Sequence, residues 1–122
     1  MSVRGIRGAI TVDVNEEQPI LQATVELLNG IVADNGIVPE DICSVMVTVT
    51  GDLDATFPAR AIRQMPEWEL VPLMCALEVP VKGSLERCIR LMVLVNTEKK
   101  QHEIRHVYLE GAQVLRPDLT KA

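Results

Sequence analysis

NEEQPILQATVELLNGIVADNG, residues 15–36, decides the fold, because it is the one long run in the chain whose apolar residues keep helical spacing. Ile20, Leu21, Thr24, Leu27, Leu28, Ile31 and Val32 fall on a single face, the face such a helix buries. Asn15 is placed to cap it, Glu16 and Glu17 complement its positive end, Pro19 suits the first turn, and Gly36 stops it. Everything around this segment is punctuated as strands. Residues 3–12 (VRGIRGAITV) are β-branched and interrupted by Gly5 and Gly8, which implies a strand that bends or lets something approach its backbone.

After a turn at Val38-Pro39-Glu40, residues 42–50 (ICSVMVTVT) form a second strand that Gly51-Asp52 ends. Residues 57–65 (FPARAIRQM) read as a short helix opening at Pro58, with Arg60 and Arg63 within one turn, a pairing that calls for an anion. A third, short strand within residues 70–79 is broken by Pro72 and Pro80, Lys82-Gly83-Ser84 is a turn, residues 88–95 (CIRLMVLV) are the fourth and most apolar strand, and a fifth covers 104–109 with an irregular continuation to Leu115. The fold class is α+β, one domain over residues 1–122. One long helix cannot cover both faces of a five-stranded mixed sheet, so the uncovered apolar face should meet a neighbouring subunit.

The 122 residues are 48% hydrophobic, enough for one core, but only 2% aromatic, so Phe57, Trp68 and Tyr108 stand out as rings that could mark a pocket. A formal charge of -5, with twelve basic residues spread among seventeen acids, excludes a nucleic-acid surface. No run reaches the roughly 18 to 20 apolar residues of a membrane span, and the start MSVRGIRG lacks a signal peptide's apolar core, so the expected location is the cytoplasm with no membrane partner. Cys43, Cys75 and Cys88, odd in number and widely spaced, fit reduced thiols better than a disulfide framework or a zinc site. The polar tail after Arg116 is expected to be mobile unless a ligand orders it.

Arg90 is the most informative position. It interrupts CIRLMVLV, where a charge is costly unless an anion meets it, although strand alternation can also point it to water. Arg7 repeats the arrangement between Gly5-Ile6 and Gly8-Ala9, whose small side chains would admit a ligand. Glu78, in LEVP, either pairs with one of these arginines or accepts a hydrogen bond from a substrate hydroxyl. Tyr108 is either a core phenol with a wet tip or a ligand contact. His102 and His106 are four apart, but QHEIRHVYLE alternates like a strand and brings no third ligand, so no metal is expected. Nucleophile-elbow, dinucleotide, P-loop and zinc-protease strings are absent from the sequence. Arginines, one carboxylate, one phenol and one thiol remain, a set suited to a small polyanion.

Taken together, RGIRGA (4–9), FPARAIR (57–63), CALEVPV (75–81), CIRLMVLV (88–95) and RHVYLEGAQVLRPDL (105–119) resemble the trimeric bacterial chorismate mutases, over essentially the whole chain and in the same order and spacing. The resemblance implies a homotrimer packed as a pseudo-α/β-barrel with sheets inward and an active site at each subunit boundary. It implies rearrangement of chorismate to prephenate without a cofactor, in aromatic amino acid biosynthesis. It assigns Arg7, Cys75, Glu78, Arg90 and Tyr108 to the substrate, with catalytic weight on Arg90, Arg7 and Glu78. Met74, Ala76 and Leu77 flank Cys75 in the same strand of the site. Phe57, Ala59 and Arg63 border the pocket from across the interface, and Leu115 and Arg116 belong to a stretch that closes over it. Arg60 and Met74 stand where a lysine and a threonine are familiar in the family.

Two other readings use the same residues. An imine-hydrolysing deaminase on a similar trimer would need a positioned water, and a non-catalytic sensor of aromatic-pathway carboxylates would bind without turnover. The chain has no second domain for allosteric control, so phenylalanine and tyrosine are expected not to inhibit; tight inhibition of the purified protein by either would contradict this.

Overall fold

The structure, a computed structural model, describes residues 1–115. Five strands, β1 (Ser2–Thr11), β2 (Ile42–Val49), β3 (Leu73–Leu77), β4 (Cys88–Thr97) and β5 (Val107–Leu109), form one mixed sheet in the order β3-β2-β4-β1-β5. β4 runs antiparallel to both β1 and β2, while β1–β5 and β2–β3 are parallel pairs. The long helix α1 (Glu17–Asn35) and the short α2 (Ala59–Arg63) are the α-helices, and Pro39–Asp41, Gln101–Glu103 and Glu110–Leu115 are 3-10 turns. Among the described residues no helix is long and apolar enough to cross a membrane.

Alternation along the strands separates two faces. On one, Ile6, Ile10, Val45, Val47, Ile89, Leu91, Val93 and Val95 are buried with Ile20, Leu27, Leu28 and Ile31 of α1. Gly8 explains how close the helix comes: a Cβ there would stand 2.7 Å from Ile31 Cδ1 and 3.0 Å from Leu27 Cδ1. The space beside Gly8 is therefore filled by α1 and not by a ligand. Gly5, on the other face, lies under the Met92 sulfur and Leu94.

The ends of α1 are held differently from one another. Gly36, at φ 60°, closes the C-terminus with its N–H on the Val32 carbonyl, as the sequence implies. Glu16, not Asn15, occupies the N-cap, and no side chain caps there. Asn15 instead holds the loop before α2, donating to Asp54 Oδ1 and accepting from the N–H groups of Asp54 and Ala55. The buried Asn35 donates to the Ile31 and Arg105 carbonyls and accepts from the Arg105 N–H, which pins the approach to β5 against the helix. That approach carries no strand, so β5 starts at Val107 rather than residue 104. β3 is short, as its prolines imply: Pro72 and Pro80 bracket it, and Leu70 lies out in solvent. Of the three rings, Trp68 is a core residue. The anion that Arg60 calls for is Glu17, 3.1 Å away, and Arg60 also donates to Thr56 Oγ1.

Candidate active site

The face of the sheet turned away from α1 carries Arg7, Arg90 and Tyr108. Register aligns Ala76, Thr48, Arg90, Ala9 and Tyr108 in a row across all five strands, and Met74, Met46, Met92 and Arg7 in the neighbouring row. Paired residues in adjacent strands share a face, so Arg90 and Arg7 project to the same side, one row apart. Met46, Met92 and Leu94 on this face are each 37% exposed and Met74 is 65% exposed.

Arg90 sits beside Glu78, with its Nε 3.5 Å from Glu78 Oε2, and the two side chains are only 33% and 22% exposed. Glu78 follows β3 and is fixed by its own N–H on the Val49 carbonyl and by the Thr48 hydroxyl, which donates to Glu78 Oε2. The carboxylate thus holds the guanidinium by charge, yet Arg90 Nε, itself buried, has no hydrogen-bond partner among the described residues. The buried Tyr108 hydroxyl also has none among them. Two buried donors left open in one row, Arg90 at its centre and Tyr108 at its β5 end, are an arrangement that a ligand oxygen would complete, since leaving such groups unpaired costs about 1–3 kcal/mol each. Of the two readings of Tyr108, the wet tip is not what the structure shows: the residue is 4% exposed.

Beyond Arg90 the same face closes into a small cluster of Ala9, Cys88, Tyr108 and Ala112, with Leu85 and Leu115 packed against it. Burial pushes the Cys88 thiol above its ordinary pKa, against the opposing pull of the Arg90 guanidinium. A groove of about 750 Å³ runs over Arg90, walled by Thr11, Val12, residues 83–87, Val114 and Leu115. Arg7 lies in a separate cavity of about 320 Å³ with Arg4, Met92, Gln101 and His106, and its backbone N–H donates to His106 Nδ1 at 2.9 Å. A single chain therefore brings Arg90, Glu78, Tyr108 and Leu115 together and sets Arg7 next to them.

It does not bring in the rest. Phe57, 67% exposed, precedes α2; Ala59 is buried within α2, Arg63 is exposed at its end, and none of the three lines the Arg90 groove. Cys75 pairs with Val47, and Leu77 with Val49, so both project from the outermost strand toward the helix side, while Met74 and Ala76 face Arg90's side. Arg116 lies outside the described residues. Thr48 is the site residue that sequence reasoning passed over. The signal was present, because alternation in ICSVMVTVT puts Ser44, Met46 and Thr48 on one side of the strand.

The family model described as chorismate mutase type I matches residues 3–119. Chorismate mutase AroH of Bacillus subtilis (strain 168) is 48% identical over 120 residues, covering 98% of this chain and 94% of the relative. Chorismate mutase AroH of Thermus thermophilus is 52% identical over 121 residues, covering 98% of both chains. Among solved structures, a chorismate mutase from Clostridium thermocellum is similar with a TM-score of 0.88 and 50% identity, covering 91% of this chain and 98% of that one.

Proposed function

This chain belongs to the chorismate mutase type I family, and from that premise we infer that the Arg90 face is where its substrate reacts. The protein is a chorismate mutase, an isomerase that converts chorismate to prephenate in aromatic amino acid biosynthesis. The observation that carries the site assignment is the pairing of Arg90 with Glu78 on the open face, with the buried Nε still unpartnered among the described residues.

The reaction is a pericyclic rearrangement: a carbon–oxygen bond breaks as a carbon–carbon bond forms, and no proton need move. As the ether bond lengthens ahead of carbon–carbon closure, negative charge gathers on the ether oxygen and the ring becomes relatively positive. A fixed guanidinium at that oxygen favours the transition state over the ground state. Arg90 takes that role. Glu78 orients Arg90, meets the ring hydroxyl together with the Cys75 thiol, and lies near the developing positive charge. Arg7 and Tyr108 hold the side-chain carboxylate, which keeps an otherwise extended molecule in its reactive, chair-like conformer and removes an entropic part of the barrier. The open donors of Arg90 and Tyr108 support these assignments.

The whole chain, residues 1–122, acts as one catalytic domain, and three copies complete it as a pseudo-α/β-barrel with sheets inward. The exposed Met46, Met74, Met92 and Leu94 support this, since an apolar row of that size is costly to leave in water. So does the position of Phe57, Ala59 and Arg63 away from the Arg90 groove: in the trimer they reach the pocket from the neighbouring copy, while Met74 and Ala76 border it on the Arg90 side of β3, with Cys75 and Leu77 in the same edge strand. Leu115 closes the groove from above.

The test is the loss of chorismate ultraviolet absorbance with purified protein and with Arg90→Ala of verified folding and assembly. The expected loss in kcat/KM for the variant is about 10³-fold or more. Equal turnover in both would remove Arg90 from the centre of the mechanism.

A further inference from the structure

The wall of the Arg90 groove formed by residues 83–87 is fastened at Arg87. Both carboxylate oxygens of Asp52 accept the Arg87 N–H, at 3.1 and 2.9 Å. Thr50 links this grip to the strand: its hydroxyl donates to Asp52 Oδ1 at 2.5 Å and accepts from the Cys88 N–H at 2.9 Å. On the opposite side Val12 N–H donates to the Arg87 carbonyl, and Arg87 Nε donates to the Val12 carbonyl. Arg87 is held between them at φ 46°, a left-handed conformation that a non-glycine residue keeps only when its surroundings enforce it.

The rest of the wall has little other support. Among the described residues, the backbone hydrogen bonds of the segment between Glu78 and Arg87 are internal to it, from Val81 N–H to Val79 and from Ser84 N–H to Val81. Leu85 alone rests on the Cys88 and Tyr108 cluster. Arg90, by contrast, is held by ladders on both sides, opposite Ala9 and Thr48. Without Asp52 the wall would hang on the Val12 contacts of Arg87 and on Leu85 alone, while the Arg90 guanidinium keeps its place in the sheet. Desolvation pulls the Asp52 carboxyl up, but the Thr50 hydroxyl, the Arg87 N–H and the Arg87 charge together hold it below the ordinary carboxylate range, so the grip is charged at neutral pH.

We propose that Asp52 is a positioning residue for substrate capture: by gripping the Arg87 N–H it sets the 83–87 wall over the groove, and its removal weakens chorismate binding while leaving the chemical step intact. The proposal rests on the assignment of the Arg90 groove to the substrate. The experiment measures kcat and KM for chorismate in the wild type, Asp52→Asn, Asp52→Ala and Arg90→Ala, with folding followed by circular dichroism. Asp52→Ala is expected to raise KM about tenfold with kcat within about threefold, and Asp52→Asn, which keeps one acceptor and the size of the side chain, to raise KM less. Should the alanine variant not fold, the asparagine variant carries the same split. An unchanged KM in both, or a fall in kcat at constant KM, overturns the role of Asp52 when Arg90→Ala is inactive. Wild-type turnover in Arg90→Ala overturns the groove assignment itself, and the proposal with it.

Discussion

The two faces of the sheet are made by the same strands and finished in opposite ways. Toward α1, odd-numbered residues of β4 and their neighbours are sealed into an aliphatic core by Ile20, Leu27, Leu28 and Ile31. Away from it, the even-numbered residues of β4 run from a buried thiol through a paired arginine to an uncovered methionine and leucine. The first face is complete within one chain, and the second has charge, open donors and apolar side chains without cover. With the proposed site, stability and chemistry would fall on opposite sides of one set of strands, and a substitution on either side should move one property and not the other.

The largest separation is expected from Arg90→Ala, which costs about 10³-fold or more in kcat/KM while the urea midpoint moves little, because Arg90 contributes no core packing. Ile31→Ala is the mirror experiment. It empties the contact over Gly8 and is expected to cost about 2–5 kcal/mol in urea unfolding, with kcat unchanged at temperatures where the variant stays folded. A loss of activity that tracks stability in both would erase the distinction between the faces. Cys88 sharpens the boundary within the open face: buried and with its thiol pKa raised by that burial, it is expected to resist iodoacetamide at pH 8 in native protein and to react once urea is added.

Asp52 gives the smallest effect. Desolvation pulls its carboxyl up, but the hydrogen bonds from Thr50 and the Arg87 N–H and the Arg87 charge hold its folded pKa below the ordinary carboxylate value. A depressed carboxylate contributes stability that is present above the unfolded pKa and is lost as pH falls through the folded one. The thermal midpoint of the wild type should therefore exceed that of Asp52→Asn by a small margin at pH 6, and the gap should begin to narrow as pH falls below the ordinary carboxylate value and close once it passes the lower folded pKa. A gap that persists unchanged at the lowest pH would show that the charge of Asp52 is not what holds Arg87.

Much of this was legible in the chain. The long helix and the strands follow from periodicity, the mixed sheet from the family resemblance, and a single long helix already implies one bare face. Arg90 and Glu78 announced themselves as charges within apolar strands. What sequence could not supply was the non-local partner. Nothing in the spacing of Thr48 or Asp52 tells that one meets Glu78 and the other Arg87, thirty or more residues away. Asn15 likewise looked like a helix cap, yet it found stronger use in holding Asp54 and Ala55. Pro72 and Pro80, legible in the chain as breaks, bound β3 as expected, whereas the Asn35 clasp on Arg105 kept residues 104–106 out of β5, a non-local effect that local propensity does not contain.

The central claim is that the open face is finished by other copies of the chain and that turnover depends on it. The most direct measurement is sedimentation velocity with chorismate turnover followed on the same samples, for the wild type and for Met92→Glu, which sets a carboxylate in the middle of the bare row. The expected result is a wild type at the mass of three chains and active, and a Met92→Glu protein at the mass of one chain, folded and without turnover. A wild type that sediments as a single chain and still converts chorismate would contradict the account.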